Sequence, residues 1–421
     1  MNIAHVLRKY NPAEWGGTET ALHRLCDGLH QGGVRSLVFS PSLPTQPDSS
    51  PPIADPLAEV GCVMRRFDAC VPIWGLPEEK RRQMVAVGGN LMSFELIRSL
   101  LREPELSVIH AHTMGRIGSI GRVVARRRRL PFVFTTHGGV YDLPPALKAQ
   151  LNAPLTEGLE WGKLCGLLLR SRGLLDDADA IITCNVREAE LMRRRHPSRR
   201  VVVQPHGVSA RIYEVDQRAA AREAFPRIIG RSVLLSLGRI DAVKNQSWLI
   251  DQLPALIRRH PRLLLVLAGA VTDEGYAAEL EREIARHGLG WHVILTGGLP
   301  PGDSRLVGLL QEARAVVLPS VSETFGLVIL EAWAANTAVI SSRTSGATCL
   351  IEDGKTGVLF DLNQPASFHA GVDRLWFDRD WAGRLAAAGR QRVWIDFDTR
   401  VLAERMRRLY ETLIEEKSCG T

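Results

Sequence analysis

Ala315-Val316-Val317-Leu318-Pro319-Ser320-Val321-Ser322-Glu323-Thr324-Phe325-Gly326-Leu327-Val328-Ile329-Leu330-Glu331-Ala332 is the stretch from which the fold is read. It opens with four consecutive apolar residues and no polar alternation, which suits a strand covered on both faces, as in parallel sheets flanked by helices. A short loop follows, and an apolar helix begins past Gly326. The same order recurs along nearly the whole chain. Apolar runs lie at 3–7, 36–39, 107–111, 132–135, 180–183 and 201–203, then at 233–237, 263–268, 292–295, 315–318, 338–341 and 358–360, with helical patterns between them. Two such series predict two doubly wound α/β domains. The break falls near Pro205-His206-Gly207-Val208, where Pro and Gly suit a hinge.

Composition agrees with this reading. A chain of 421 residues is long for one core, and 45% hydrophobic with 24% charged residues is ordinary for a soluble globular protein. No run of about 18 apolar residues occurs, and the first residues lack the order of a signal peptide. Seven cysteines without a Cys-x-x-Cys spacing fit a reducing cytoplasm better than a disulfide framework. The net charge of +7 is concentrated at Arg126–Arg129 and around Arg187, Arg193, Arg194, Arg195, Arg199 and Arg200. These are either solvated helix faces or a peripheral contact with an anionic membrane at its inner face. Without interleaved aromatics they do not form a nucleic-acid platform.

Two segments depart from strict alternation. Residues 41–56 hold six prolines and are expected to form a loop insertion. Residues 145–176 are expected to be helix-rich, interrupted at Gly158, Gly162, Gly166 and Gly173. The apolar spacing of Val401, Leu402, Met406, Leu409, Tyr410 and Leu413 predicts a terminal amphipathic helix over 399–416.

Four motifs carry chemistry. In the opening stretch, the free N–H groups past Gly326 form a site for a diphosphate. Glu331, read as two turns further on, can accept bonds from a ribose diol, and Glu323 on the loop can meet sugar hydroxyls. The second motif is Ser236-Leu237-Gly238-Arg239-Ile240-Asp241-Ala242-Val243-Lys244-Asn245-Gln246. It places two cations, Arg239 and Lys244, at the C-terminal edge of the second sheet, where they can neutralise a leaving diphosphate. Third, Gly16 and Gly17 follow the first strand, giving a loop that can approach a phosphate or an acceptor, with Thr18 as the expected cap of the next helix. Fourth, Thr136-His137-Gly138-Gly139 puts His137 after another strand. His110 and His112 flank Ala111 at a third strand end, but no third ligand is evident beside them, so no metal site is expected. The spacings of dinucleotide and P-loop fingerprints are missing.

In this order these residues resemble the family-4 retaining glycosyltransferases of GT-B fold. The resemblance runs through Gly16-Gly17, Thr136-His137-Gly138, Pro205-His206-Gly207-Val208, Gly238-Arg239 with Lys244-Asn245, Leu267-Ala268-Gly269, Glu323 with Glu331, and Asp353-Gly354-Lys355-Thr356-Gly357. It implies two Rossmann-like domains facing each other across a cleft. These are residues 1–206, to which a helix at about 397–416 crosses back, and residues 207–396, which hold the donor. It implies Arg239 and Lys244 on the diphosphate, Glu331 on the ribose, His137 and Glu323 as catalytic residues near the transferred sugar, and the amides of Phe325, Gly326 and Leu327 near sugar and phosphate. It implies a nucleotide diphosphate sugar as substrate, no cofactor, and a carbohydrate or lipid-linked acceptor. His206 stands where the family usually has Asn, Asn336 where Gly is common and Ala338 where Pro is common. A sugar-nucleotide epimerase or hydrolase of the same architecture, an NAD-dependent oxidoreductase and a non-catalytic sugar-binding protein are the competing readings. The motifs favour the transferase.

Overall fold

The computed structural model describes residues 1–12, 16–42, 55–86, 88–137, 159–300 and 302–419. The chain divides into two compact units, one of Met1–Pro205 with Thr399–Thr421 and the other of His206–Asp398.

The first unit is built on a seven-stranded parallel sheet. Its strands are β1 (Asn2–Val6), β2 (Arg35–Pro41), β3 (Val63–Phe67), β5 (Leu106–Ala111), β6 (Phe132–Thr135), β8 (Ala180–Thr183) and β9 (Arg200–Val203). Their order is β3-β2-β1-β5-β6-β8-β9, so the winding reverses between β1 and β5. The short pair β4 (Ile73–Trp74) and β7 (Leu159–Glu160) runs antiparallel beside it. β3 was not anticipated, because Arg65 and Arg66 interrupt its apolar run. It forms the sheet edge, where Arg66 donates to the carbonyls of Tyr10 and Pro41. Most of the expected 41–56 insertion, and residues 145–158 of the 145–176 stretch, lie outside the described residues. In the described remainder, a short helix Gly162–Leu168 starts at one of the predicted interruptions and contains another, so Gly162 and Gly166 break nothing.

The second unit has a six-stranded parallel sheet: β10 (Ser232–Leu237), β11 (Leu263–Ala268), β12 (Val293–Gly297), β13 (Ala315–Leu318), β14 (Val339–Ser342) and β15 (Val358–Phe360). Their order is β12-β11-β10-β13-β14-β15, with the reversal between β10 and β13. All six residues of β11 are buried, as a continuous apolar run demands. The chain passes between the units at 205–206 and at 398–399. Val208 bridges to Asp398, and its N–H donates to the Phe397 carbonyl at 2.9 Å, so the two crossing segments are bonded to each other.

The terminal helix Thr399–Cys419 belongs to the first unit and packs on the helix Gly17–Gln31. Met406, Tyr410 and Leu413 join the core formed by Ile3, Val108 and Val133. Tyr410 is fully buried, and its hydroxyl lies 2.7 Å from His110 Nδ1. Removing that hydroxyl leaves a buried ring nitrogen without its partner, at a cost of about 1–3 kcal/mol. Tyr410→Phe is therefore expected to lower the urea midpoint of the first unit at unchanged slope. A variant as stable as its parent would show that this bond contributes nothing.

Candidate functional site

Ligands of doubly wound sheets bind beyond the C-terminal strand ends, where the winding reverses. In the second unit this place is formed by the loops after β10 and β13. The β10 loop is shaped first by backbone contact. A Cβ on Gly269 would lie 1.9 Å from the Gly238 carbonyl oxygen, so only glycine lets the two chains pass this closely. Asp241 Oδ1 accepts from the Lys244 N–H, and buried Gln246 donates to the Arg239 carbonyl, which closes the loop on itself. The loop is then tied to its neighbour. Val321 N donates to the Val243 carbonyl at 2.9 Å, Asn245 Nδ2 to the Pro319 carbonyl at 3.1 Å, and Lys244 Nζ to Glu323 Oε2 at 2.5 Å.

Glu323 is held at its backbone as well. Its carbonyl accepts from Gly346 N at 2.7 Å and from Ser345 Oγ at 3.1 Å. Gly326, at φ +97°, turns the chain into the helix Leu327–Ala334, whose first residue is Leu327. That left-handed conformation strains any residue with a side chain. Phe325 is buried, with the His206 ring at 5.0 Å and the Phe397 ring at 6.5 Å, so its side chain packs the loop. Glu331 lies on the helix and is buried, and it stands little more than one turn past Gly326 rather than two. Arg239 does not join the Lys244–Glu323 pair. It is half exposed and pairs with Asp241 at 3.0 Å. Asn336 has φ +58°, the left-handed region that glycine adopts freely and Asn tolerates.

Gly16 and Gly17 open the helix Gly17–Gln31, with Gly16 rather than Thr18 at the cap position. The Glu19 carboxylate folds back to accept from Gly16 N at 3.1 Å, so the protein's own anion occupies this helix start. His137 belongs to the first unit and has φ +49°, an uncommon conformation that often marks functional positions. The preceding Thr136 donates to Glu188 Oε2 at 2.8 Å, and Glu188 is fully buried. No motif in the sequence flagged that carboxylate.

His137 also ends a buried row of histidines at the β1/β5 reversal. His5 lies opposite His110 in the strand register. His5 Nδ1 is 3.0 Å from His112 Nε2, and His112 Nδ1 is 2.8 Å from His137 Nε2. His110 Nε2 lies 2.6 Å from Thr135 Oγ1. His5 is the neighbour of His110 and His112 that sequence spacing did not supply. Nitrogens of the three lie within 4.8 Å of one another, close enough to share an ion. Both ring nitrogens of His110 and of His112 are already hydrogen-bonded, however, and an ion would have to break those bonds.

The arginine clusters have local roles. Arg126, Arg127 and Arg128 occupy the last turn of the helix Gly115–Arg128, and Arg193, Arg194 and Arg195 that of Val186–Arg195, where cations complement the helix dipole. Arg128 donates to the carbonyls of Leu100 and Glu103, and Arg200 pairs with Glu416. Among the described residues no helix is long and apolar enough to cross a membrane.

The two halves of the chain match two family models: the glycosyl transferase 4-like domain at residues 16–207 and glycosyl transferases group 1 at residues 217–392. The D-inositol 3-phosphate glycosyltransferase of Acidothermus cellulolyticus is 30% identical over 286 residues, covering 65% of this chain and 61% of the relative. The chain thus spans less than two thirds of that relative's length. The D-inositol 3-phosphate glycosyltransferase of Corynebacterium jeikeium is 26% identical over 435 residues, 98% of this chain and 97% of its own. The crystal structure of Anabaena HepE in complex with UDP is similar in fold, with a TM-score of 0.73 at 18% identity over 98% of this chain and 100% of that one.

Burial pushes the imidazole of His137 from 6.5 down to about 4, and that of His5 down to about 3. Between 6.5 and those values the unfolded chain binds more protons than the folded one, so stability rises with pH across the window and is lost on acidification. The thermal midpoint of the first unit should therefore fall steadily from about pH 6.5 to about pH 4. His137→Gln should flatten part of that fall. An identical acid profile in the variant would show that His137 does not stay neutral in the fold.

Proposed function

Because the chain belongs to the group 1 glycosyltransferases of GT-B fold, we propose that it is a retaining glycosyltransferase that moves a hexose from a nucleotide diphosphate sugar to a carbohydrate or lipid-linked acceptor. The observation that carries the reading is the Lys244–Glu323 pair, held between the loops after β10 and β13 beside the helix start at Gly326. A cation, a carboxylate and free helix N–H groups converge where the sheet reverses, which is the equipment a sugar diphosphate needs.

In this reading the bond between the anomeric carbon and the β-phosphate oxygen breaks, and the electron pair leaves with the diphosphate. Lys244, Arg239 and the N-terminus of the helix Leu327–Ala334 stabilise that charge. An ammonium has three N–H bonds, so Lys244 can hold Glu323 and a phosphate oxygen together. Arg239 is exposed enough to exchange Asp241 for a phosphate. Glu331 accepts from the ribose diol, and the amides of Phe325, Gly326 and Leu327 face sugar and phosphate. The acceptor hydroxyl bonds to the anomeric carbon from the face the diphosphate leaves, and its proton passes to the departing oxygen, so configuration is retained. Fixed cations supply the stabilisation that a metal gives in other transferases, and no cofactor is needed.

UDP-sugars are the first donors to screen, since HepE binds UDP. Turnover is expected to persist in excess EDTA and to yield a glycoside of the donor's own anomeric configuration. Arg239→Ala and Lys244→Ala should each lower kcat by about two to three decades. A free sugar or an epimer as the sole product would favour the hydrolase or epimerase instead. Activity abolished by EDTA and restored by magnesium would refute the fixed-cation account.

The proposal extends to a cytoplasmic enzyme that meets its acceptor at an anionic membrane through exposed Arg126, Arg127, Arg193, Arg194 and Arg195. Each basic residue near such a surface contributes about 1 kcal/mol, screened by salt. Co-sedimentation with anionic but not neutral vesicles is expected, and equal binding to both would remove the membrane step.

A further inference from the structure

The second unit gathers cations at the other end of its sheet as well. The residues that begin β10 and those that precede β13 and β14 line a cleft of about 420 Å³. It therefore lies beyond the N-terminal strand ends, whereas the loops of Lys244 and Glu323 leave the C-terminal ones. The six residues of β10 set the two ends about 20 Å apart. Arg231, Arg314 and Arg379 all line the cleft. Arg231 donates through Nη2 to the carbonyls of Leu263 at 3.0 Å and Trp291 at 3.3 Å, and through Nε to that of Arg262 at 3.1 Å. Arg314 donates through Nη2 to the carbonyls of Leu375 at 2.9 Å and Trp376 at 3.0 Å. These bonds fix the two guanidinium groups without cancelling their charge. Arg379 is exposed, and its side chain makes no hydrogen bond or ion pair among the described residues. Glu312 is the one carboxylate among the described residues lining the cleft, and it is taken by Arg222 at 2.5 Å, with Arg218 at 3.9 Å. Burial and then the charge of Arg379 push the Arg314 guanidinium below its ordinary value, and burial with Arg227 and Arg262 does the same to Arg231. An anion placed there relieves repulsion that the protein itself leaves uncompensated.

We propose that this cleft is a second anion site of the second unit, in which Arg231, Arg314 and Arg379 bind a phosphate dianion, either free or as the monoester of a small molecule. The planar fork of a guanidinium matches the oxygens of a phosphate, and three such groups call for more than one negative charge. The volume falls within the range of small-molecule sites, so it has room for the organic part of an ester as well. Asn336, exposed at the cleft, adds an amide donor. Gly383, on the helix Arg379–Arg392, keeps the wall open, since a Cβ there would meet nothing within 4 Å. At the far end of β10 from Lys244, the bound phosphate cannot be the diphosphate of a sugar donor, so the site stands whether or not the functional reading does.

Calorimetric titration of the full chain with inorganic phosphate and with glycerol phosphate, at an ionic strength held constant with sodium chloride, tests this directly. Saturable binding with a Kd of about 1 mM or tighter is expected. Arg379→Gln removes a cation that supports no other part of the fold, and should weaken binding by about tenfold or more. Gly383→Glu sets a carboxylate in the cleft and should abolish binding, whereas Gly383→Gln, of the same shape without the charge, should keep it. Lys244→Ala should bind as the parent does, which assigns the heat to this end of the sheet. Tighter binding of glycerol phosphate identifies an ester as the ligand, and equal or weaker binding identifies free phosphate. Absence of saturable binding in the parent overturns the proposal. So does binding that Lys244→Ala removes while Arg379→Gln and Gly383→Glu retain it at the parent's affinity.

Discussion

The second unit depends on a contact that involves no side chain. The backbone of Gly238 passes Gly269 so closely that a single added carbon would collide with the carbonyl oxygen. That approach sets the path of the chain leaving β10. Everything that follows in the loop inherits its position: the turn closed by Asp241, the left-handed Asn245, and the ammonium of Lys244 at the carboxylate of Glu323. The strand order makes this placement useful, because the winding reverses between β10 and β13, the place where doubly wound sheets bind their ligands. The Val321 N–H bonded to the Val243 carbonyl and the Asn245 side chain bonded to the Pro319 carbonyl hold the two loops in register, so the charged groups do not have to find each other.

The first unit solves a different problem. Imidazoles are half-charged near neutral pH in water, and four of them together would repel one another. Burial removes that difficulty by holding His5, His110 and His137 well below their ordinary value. Once neutral, each ring becomes a directional group with one donor and one acceptor, and the rings link in series. The terminal helix takes part through Tyr410, whose phenol is pushed up by burial and stays protonated beside His110.

Much of this was legible in the chain. The apolar runs 132–135, 180–183, 263–268, 315–318 and 358–360 coincide with observed strands, because a strand buried on both faces has no polar alternation to blur its ends. β3 escaped notice because an edge strand tolerates Arg65 and Arg66. Thr18 was expected at a cap that Gly16 holds, since Glu19 rather than a hydroxyl satisfies the helix start. The loops carrying Arg239, Lys244 and Glu323 could be placed on strand ends from spacing alone. The Lys244–Glu323 bond could not, as it depends on which strands are neighbours. The same limit hid His5, which is separated from His112 by 107 positions and joined to it only through the register of β1 with β5.

The two crossings at 205–206 and 398–399 give the chain a temporal asymmetry. As the polypeptide leaves the ribosome, the second unit is one continuous stretch and can complete its core as soon as residue 398 emerges. The first unit begins earlier and finishes later. Its sheet must wait through the synthesis of nearly two hundred intervening residues, with Ile3, Val108 and Val133 uncovered, until Met406, Tyr410 and Leu413 arrive. An apolar surface left open for that long is a binding site for holding chaperones and a hazard for self-association. The same arrangement makes the histidine row the last part of the molecule to mature, so a nascent or truncated chain carries a finished second unit and an unfinished first one.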